Sequence, residues 1–183
     1  RSHLNINKAH IVGHSLGGMI GPSYARKYQD HVLSLSLIST AAFRKAEDKK
    51  KILDIICKIE NEGLAPVLPS LINRWFTNEF INSNQEIIDK RLKQIKDMPL
   101  KTFLNVFRIY AFTEMDSWLN EIKIPCLVMT GANDFGCNPT LNKMIVDALP
   151  NSKFEILENL KHAITLEAPN IVGKKIRLFI ENI

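Results

Sequence analysis

Short apolar runs alternate with helical periodicities at both ends of this chain, and the middle abandons that alternation. Residues 8–12 read as a buried strand, and 17–29 as a helix with Ile20, Tyr24, Ala25 and Tyr28 on one side. A second strand is expected over 32–40. Leu33, Leu35 and Leu37 share one of its faces, while Ser34 and Ser36 leave the other small enough for a helix to approach closely. Strand, helix and strand in so short a span make a βαβ unit, with a right-handed crossover.

From 41 to 123 the pattern is helical. Residues 49–62 carry Ile52, Ile55, Ile56 and Ile59 at helical spacing and stop at Gly63. A shorter helix over 66–76 is expected to be broken in two by Pro69. Asn84 is placed to cap a helix reaching Asp97, with Ile88, Leu92 and Ile95 inward. Residues 99–112 repeat Leu100, Phe103, Leu104, Phe107 and Phe112. A block this long with its own apolar faces is no loop. Residues 42–123 are therefore expected to form an all-helical cap subdomain, inserted into a core made of 1–41 and 124–183. Alternation then resumes: a strand over 124–130, a helix capped by Asn138 with Pro139 in its first turn, a strand over Ser152–Leu157, and a closing helix over 170–183. The class is α/β, a parallel sheet flanked by helices. A core strand begins within ten residues of an Arg1-Ser2-His3 start, and a parallel strand wants neighbours on both sides. The chain is accordingly expected to be the back portion of a longer protein, a fragment lacking the first strands of its sheet, with residues 8–12 at an exposed edge.

Composition changes this picture little. With 183 residues, 45% apolar and 23% charged, the chain has the make-up of one soluble globular domain. The net charge of +5 is scattered among acids, with Lys49-Lys50-Lys51 the one run. No basic cluster pairs with stacking aromatics, so nucleic acid is not an expected partner. No apolar run is long enough to cross a bilayer and no basic leader opens the chain, so a cytoplasmic protein without a membrane partner is expected. Cys57, Cys126 and Cys137 are too few and too irregular for a disulfide framework or a zinc site. Cys57 and Cys126 are expected in the core, and Cys137 has no neighbouring histidine to activate it. No His/Cys/Asp/Glu cluster has metal spacing.

The candidate chemistry starts at Gly13-His14-Ser15-Leu16-Gly17, the Gly-x-Ser-x-Gly pattern of a nucleophile elbow, between the first strand and its helix. A serine at that apex is strained, with its hydroxyl pushed out of the sheet. Side chains at Gly13 and Gly17 would collide in so tight a turn. A phosphate-binding loop would want a lysine where Met19 stands. A serine hydroxyl needs a base, and the base needs a group to orient it. In a parallel sheet these belong in loops at strand C-termini. Two such loops remain: Gly131-Ala132-Asn133-Asp134 and Leu160-Lys161-His162. The order Ser15, Asp134, His162 is the one that accompanies this elbow. Asp134 also suits a local Asn-Asp turn, and His162 a surface histidine. Asp116 precedes its strand and is disfavoured, and His14 is expected to pack rather than react.

These motifs, with Lys161-His162-Ala163 and Glu167-Ala168-Pro169, resemble the C-terminal part of the α/β-hydrolase superfamily, cap included. Arg74-Trp75-Phe76-Thr77 looks similar to the 3-oxoadipate enol-lactonase group. The resemblance implies Ser15 as nucleophile, His162 as base then acid, Asp134 as the group holding its tautomer, and the Leu16 N–H as one oxyanion donor. It implies no cofactor and no metal, and a small-molecule ester or lactone as substrate. Trp75, Phe76 and Phe107 are candidates to line an apolar substrate chamber, against the commoner role of helical core. Carbon–carbon bond hydrolysis or perhydrolysis on the same triad is the alternative reaction. A catalytically impaired fragment or ligand-binding module is the alternative of another class. Oligomeric state is left open.

Overall fold

The computed structural model describes residues 1–183. They divide into two compact units, one made of Arg1–Phe43 with Met115–Ile183 and one of Arg44–Glu114. The Leu-, Val- and Ile-rich runs of the first unit form β1 (Ala9–His14), β2 (Val32–Ile38), β3 (Cys126–Gly131) and β4 (Ser152–Leu157). All pairs are parallel, in the order β1-β2-β3-β4. Every residue of β3 is buried, as is every residue of β2 except Leu33. That burial on both faces is the normal state of a parallel strand. β1 pairs with β2 alone, and its Val12 is 50% exposed.

The register decides where the site forms. Gly13 lies beside Leu37, and Gly131 beside Leu157, so β1, β3 and β4 present their C-terminal ends along one rim. Below that rim, Ile38, Leu127, Met129 and Leu157 pack against Ile164, Val172 and Phe179. The last three belong to α8 (Ile164–Glu167) and α9 (Pro169–Glu181). α7 (Pro139–Ala148) packs on β3 and β4, and Asn138 caps it, its Oδ1 accepting the Leu141 N–H at 3.0 Å.

α1 (Gly17–Lys27) turns a different side inward from the one its largest apolar residues suggest. Its buried positions are Gly18, Met19, Gly21, Pro22 and Ala25, while Ile20 and Tyr28 are exposed. The sheet selects the flattest side. A Cβ on Gly21 would stand 3.5 Å from Ile11 of β1 and from Leu35 of β2, so the helix rides directly on those side chains.

The helical unit contains α2 (Ala46–Glu62), α3 (Leu68–Trp75), α4 (Asn78–Ser83), α5 (Gln85–Asp97) and α6 (Leu100–Phe112). Ile52, Ile56, Ile59, Leu71, Ile95 and Phe103 meet in its core. Pro69 does not break α3: it sits in the first turn, where a missing N–H leaves nothing unsatisfied. α4 was not evident from periodicity. It is started by Thr77, whose Oγ1 accepts the Phe80 N–H at 3.2 Å. Asn84 caps nothing with its side chain, which instead donates to the Phe80 carbonyl at 3.2 Å.

The unit is narrower than the expected 42–123. Met115, Leu119 and Ile122 are fully buried with the sheet unit, and the turn Leu119–Glu121 packs on α7. Arg26 holds that turn through a two-pronged pair with Glu121 at 2.7 and 2.8 Å. Cys126 is buried, and burial pushes its thiol up to about 12. Cys57 is exposed, not in the core, because Ile56 and Ile59 take the inward side of α2. No helix is long and apolar enough to cross a membrane.

Candidate active site

β1 ends at His14 and α1 begins at Gly17, so Ser15 and Leu16 alone make the turn. Ser15 adopts φ 55, a left-handed conformation costing about 1–3 kcal/mol for a residue with a side chain. The surroundings hold it there. Its N–H donates to the Ile38 carbonyl at 2.8 Å, and its carbonyl accepts the Gly18 N–H at 2.9 Å. A Cβ on Gly13 would lie 2.1 Å from the Gly17 carbonyl oxygen, so no other residue fits there. Gly17 opens to free space, and the expected collision on its side does not occur. The Leu16 and Gly17 N–H groups lie at the start of α1, with no carbonyl of the helix behind them to accept, and are not consumed by it.

The second and third contributors arrive together because two loops are laced to each other. Ala132 N–H donates to the Leu157 carbonyl and Asn133 N–H to the Leu160 carbonyl, both at 2.9 Å. A Cβ on Gly131 would meet the Lys161 carbonyl oxygen at 2.3 Å, so only glycine lets the loop after β4 lie across the end of β3. His162 is thereby set beside Asp134. The Asp134 carboxylate is 3% exposed and divides its work. Oδ1 accepts the Gly136 and Cys137 N–H groups at 3.0 and 2.9 Å, the local turn role, while Oδ2 meets His162 Nδ1 at 2.8 Å. His162 Nε2 stands 3.0 Å from Ser15 Oγ. In the neutral imidazole, a proton on Nδ1 facing the Asp134 carboxylate leaves Nε2 as the acceptor facing the hydroxyl.

Burial disfavours a charged His162, but the hydrogen bonds and negative charge of Asp134 and Cys137 outweigh it and raise the imidazole from 6.5 to about 10. His14 does more than pack. Its Nε2 donates to the His162 carbonyl at 2.9 Å, joining the elbow to the histidine loop. Asp116 is exposed and caps only the Ser117 N–H.

Two residues were missed by sequence reasoning. Cys137, 2% exposed, places its Sγ in a group with Asp134 and His162 whose ligand atoms all lie within 4.8 Å of one another. That corrects both the absence of a histidine beside Cys137 and the absence of a metal-like cluster. The signal available was a cysteine three residues after the candidate acid; its histidine comes from another loop. Asn142, fully buried on α7, donates from Nδ2 to the carbonyls of Thr40, Cys137 and Asn138 at 3.0, 2.7 and 3.1 Å. It ties Thr40, two residues past β2, to the acid loop.

The substrate candidates lie in the helical unit. Trp75 and Phe107 pack against its core, and Phe107 also touches Phe103 at a centroid distance of 5.1 Å. Phe76 is 1% exposed and stacks on Phe80.

A family model described as "Serine aminopeptidase, S33" matches residues 2–169. The 3-oxoadipate enol-lactonase 1 of Acinetobacter baylyi is 27% identical over 91% of this chain and 61% of its own length. A proline iminopeptidase of Clostridioides difficile is 28% identical over 88% of this chain and 62% of its own. The chain thus spans about three-fifths of the curated relatives it matches. The enol-lactonase structure from Burkholderia xenovorans LB400 superimposes with a TM-score of 0.88 at 19% identity, covering 98% of this chain and 68% of that one. The four-stranded sheet with its helices is accordingly part of that fold.

Proposed function

Because this chain belongs to the α/β-hydrolases, in the family described as serine aminopeptidase S33, we propose that it is a serine hydrolase acting on a small ester or lactone through an acyl-enzyme. The observation that carries this reading is the unbroken relay from Ser15 Oγ to His162 Nε2 at 3.0 Å and from His162 Nδ1 to Asp134 Oδ2 at 2.8 Å. Ser15 attacks the carbonyl carbon as His162 Nε2 takes its proton. The carbonyl oxygen gains negative charge beside the Leu16 N–H, a donor of the kind worth about 10²–10³ in rate. The bond to the leaving oxygen then breaks, and His162 returns the proton to the departing alcohol. Water repeats the sequence on the acyl-Ser15 ester and releases the acid. Asp134 keeps its carboxylate throughout and stabilises the transient imidazolium. The enol-lactonase relatives favour an ester or lactone bond.

The proline iminopeptidase relative and the family description favour a second reading, release of an N-terminal residue from a peptide by the same three side chains. Turnover of a short-chain 4-nitrophenyl ester against a prolyl 4-nitroanilide separates the two. In both, Ser15→Ala is expected to lower kcat by about 10⁶-fold. Unchanged turnover in that variant would remove Ser15 from the reaction.

A further inference from the structure

We propose that Cys137, His162 and Asp134 form a three-ligand site for a thiophilic divalent cation of the zinc class, and that filling it switches the hydrolase off. The inhibitory half of this inference rests on the triad reading; the binding half stands on geometry. Cys137 Sγ, the His162 ring nitrogen and an Asp134 carboxylate oxygen lie within 4.8 Å of one another. Zinc holds sulfur at about 2.3 Å and nitrogen or oxygen at about 2.0–2.2 Å, which sets tetrahedral neighbours about 3.3–3.6 Å apart. The His162–Asp134 pair at 2.8 Å therefore has to open by about half an ångström or more, and a ligand pair at the 4.8 Å limit has to close by about 1.2 Å or more, to seat the ion.

The ligands are also built in. Cys137 and Asp134 are buried at 2% and 3% exposure, and the His162 side chain at 15%. The second Asp134 oxygen is anchored by the Gly136 and Cys137 N–H groups, the outer support that orients a ligating carboxylate. A thiolate, an imidazole and a single carboxylate favour zinc or cadmium over magnesium or calcium, which take oxygen ligands.

The proton count explains the inhibition. No electron moves on binding, and any proton held on a ligating atom leaves to solvent as the ion takes its place. His162 binds through Nδ1, the nitrogen now facing Asp134. An imidazole bound through Nδ1 carries its one remaining N–H on Nε2, whether that proton was there already or moves there from Nδ1. Nε2 then presents a donor to Ser15 Oγ and can no longer accept the hydroxyl proton. The ion therefore acts by inverting the tautomer, with Ser15 left untouched.

The test uses the purified, chelator-treated protein titrated with Zn²⁺, Cd²⁺ or Mg²⁺ alone, read by ester turnover and by the thiolate-to-cadmium absorption band. Expected are saturable inhibition by Zn²⁺ that a chelator reverses, none by Mg²⁺, and a Cd²⁺ band. Cys137→Ala and Cys137→Ser are each expected to lose the band and to weaken Zn²⁺ binding by more than about 10-fold. Ser15→Ala is expected to keep the band at unchanged strength, and in the natural sequence a band without any ester turnover supports the metal site and counts only against the hydrolase reading. Absence of the band in the natural sequence, or Zn²⁺ inhibition of either cysteine variant as strong as that of the natural sequence, overturns the proposal.

Discussion

The left-handed backbone at Ser15 aims one hydroxyl at one imidazole nitrogen, and in the proposed reaction that nitrogen's protonation state governs the rate. His162 must be neutral to take the proton, while Asp134 and Cys137 hold it charged to a higher pH than an ordinary histidine. The acid limb of kcat/KM is therefore expected on the alkaline side of 6.5, and Asp134→Asn moves it back towards that value; a limb at or below 6.5 in the natural sequence contradicts this. Asp134→Asn also stabilises the wrong tautomer, and about a 10⁴-fold loss of kcat is expected. The raised pKa has a stability counterpart. The imidazolium's extra stabilisation is complete below 6.5, where the unfolded chain is also protonated, and fades as pH rises through about 10. In urea titrations, the gap between natural protein and Asp134→Asn is thus expected to narrow between these pH values.

Elements matter here mainly through how their ends are tied. Gly131 is where the loops after β3 and β4 cross, and an alanine there meets the Lys161 carbonyl at 2.3 Å. Gly131→Ala is expected to part Asp134 from His162 and lower kcat at least about 10²-fold, with the far-ultraviolet circular dichroism of the fold retained. In the helical unit, Arg44 finishes α6. Its side chain, 2% exposed, pairs with Glu114 at 2.6 Å, donates to the carbonyls of Tyr110 and Thr113, and lies 4.2 Å from the Tyr110 ring. Lysine lacks that fork, so Arg44→Lys is expected to destabilise the unit by about 1–3 kcal/mol, with faster amide exchange in the last turn of α6. Elements with a local cause were legible in the sequence. Asn138 and Pro139 start α7 as read, β4 spans Ser152–Leu157 as read, and the Gly13–Gly17 motif marks the elbow. Features that depend on distant partners were not. The inward side of α1 is chosen by Ile11 and Leu35, Asn142 acquires its role from the end of β2, and Cys137 meets a histidine twenty-five residues on.

At the scale of the molecule, β1 closes the sheet on one side with β2 as its only neighbour, and Val12, Ile20 and Leu33 are 50%, 59% and 41% exposed. An open parallel edge with apolar flanks is a template for association. Val12→Lys is expected to lower the self-association of this 183-residue chain in light scattering, and unchanged scattering would show that the edge is already protected. Two units, each with its own core, contribute to the chain, but the proposed chemistry is confined to one of them: Ser15, Asp134 and His162 all belong to the sheet unit. The most direct measurement is intact-mass and peptide analysis after exposure to a fluorophosphonate, which reacts with a serine whose proton has been taken by a paired base. One adduct on the peptide carrying Ser15 is expected, absent from Ser15→Ala and formed far more slowly by His162→Ala. Labelling that persists in Ser15→Ala, or that never reaches that peptide, would contradict a nucleophile at the elbow.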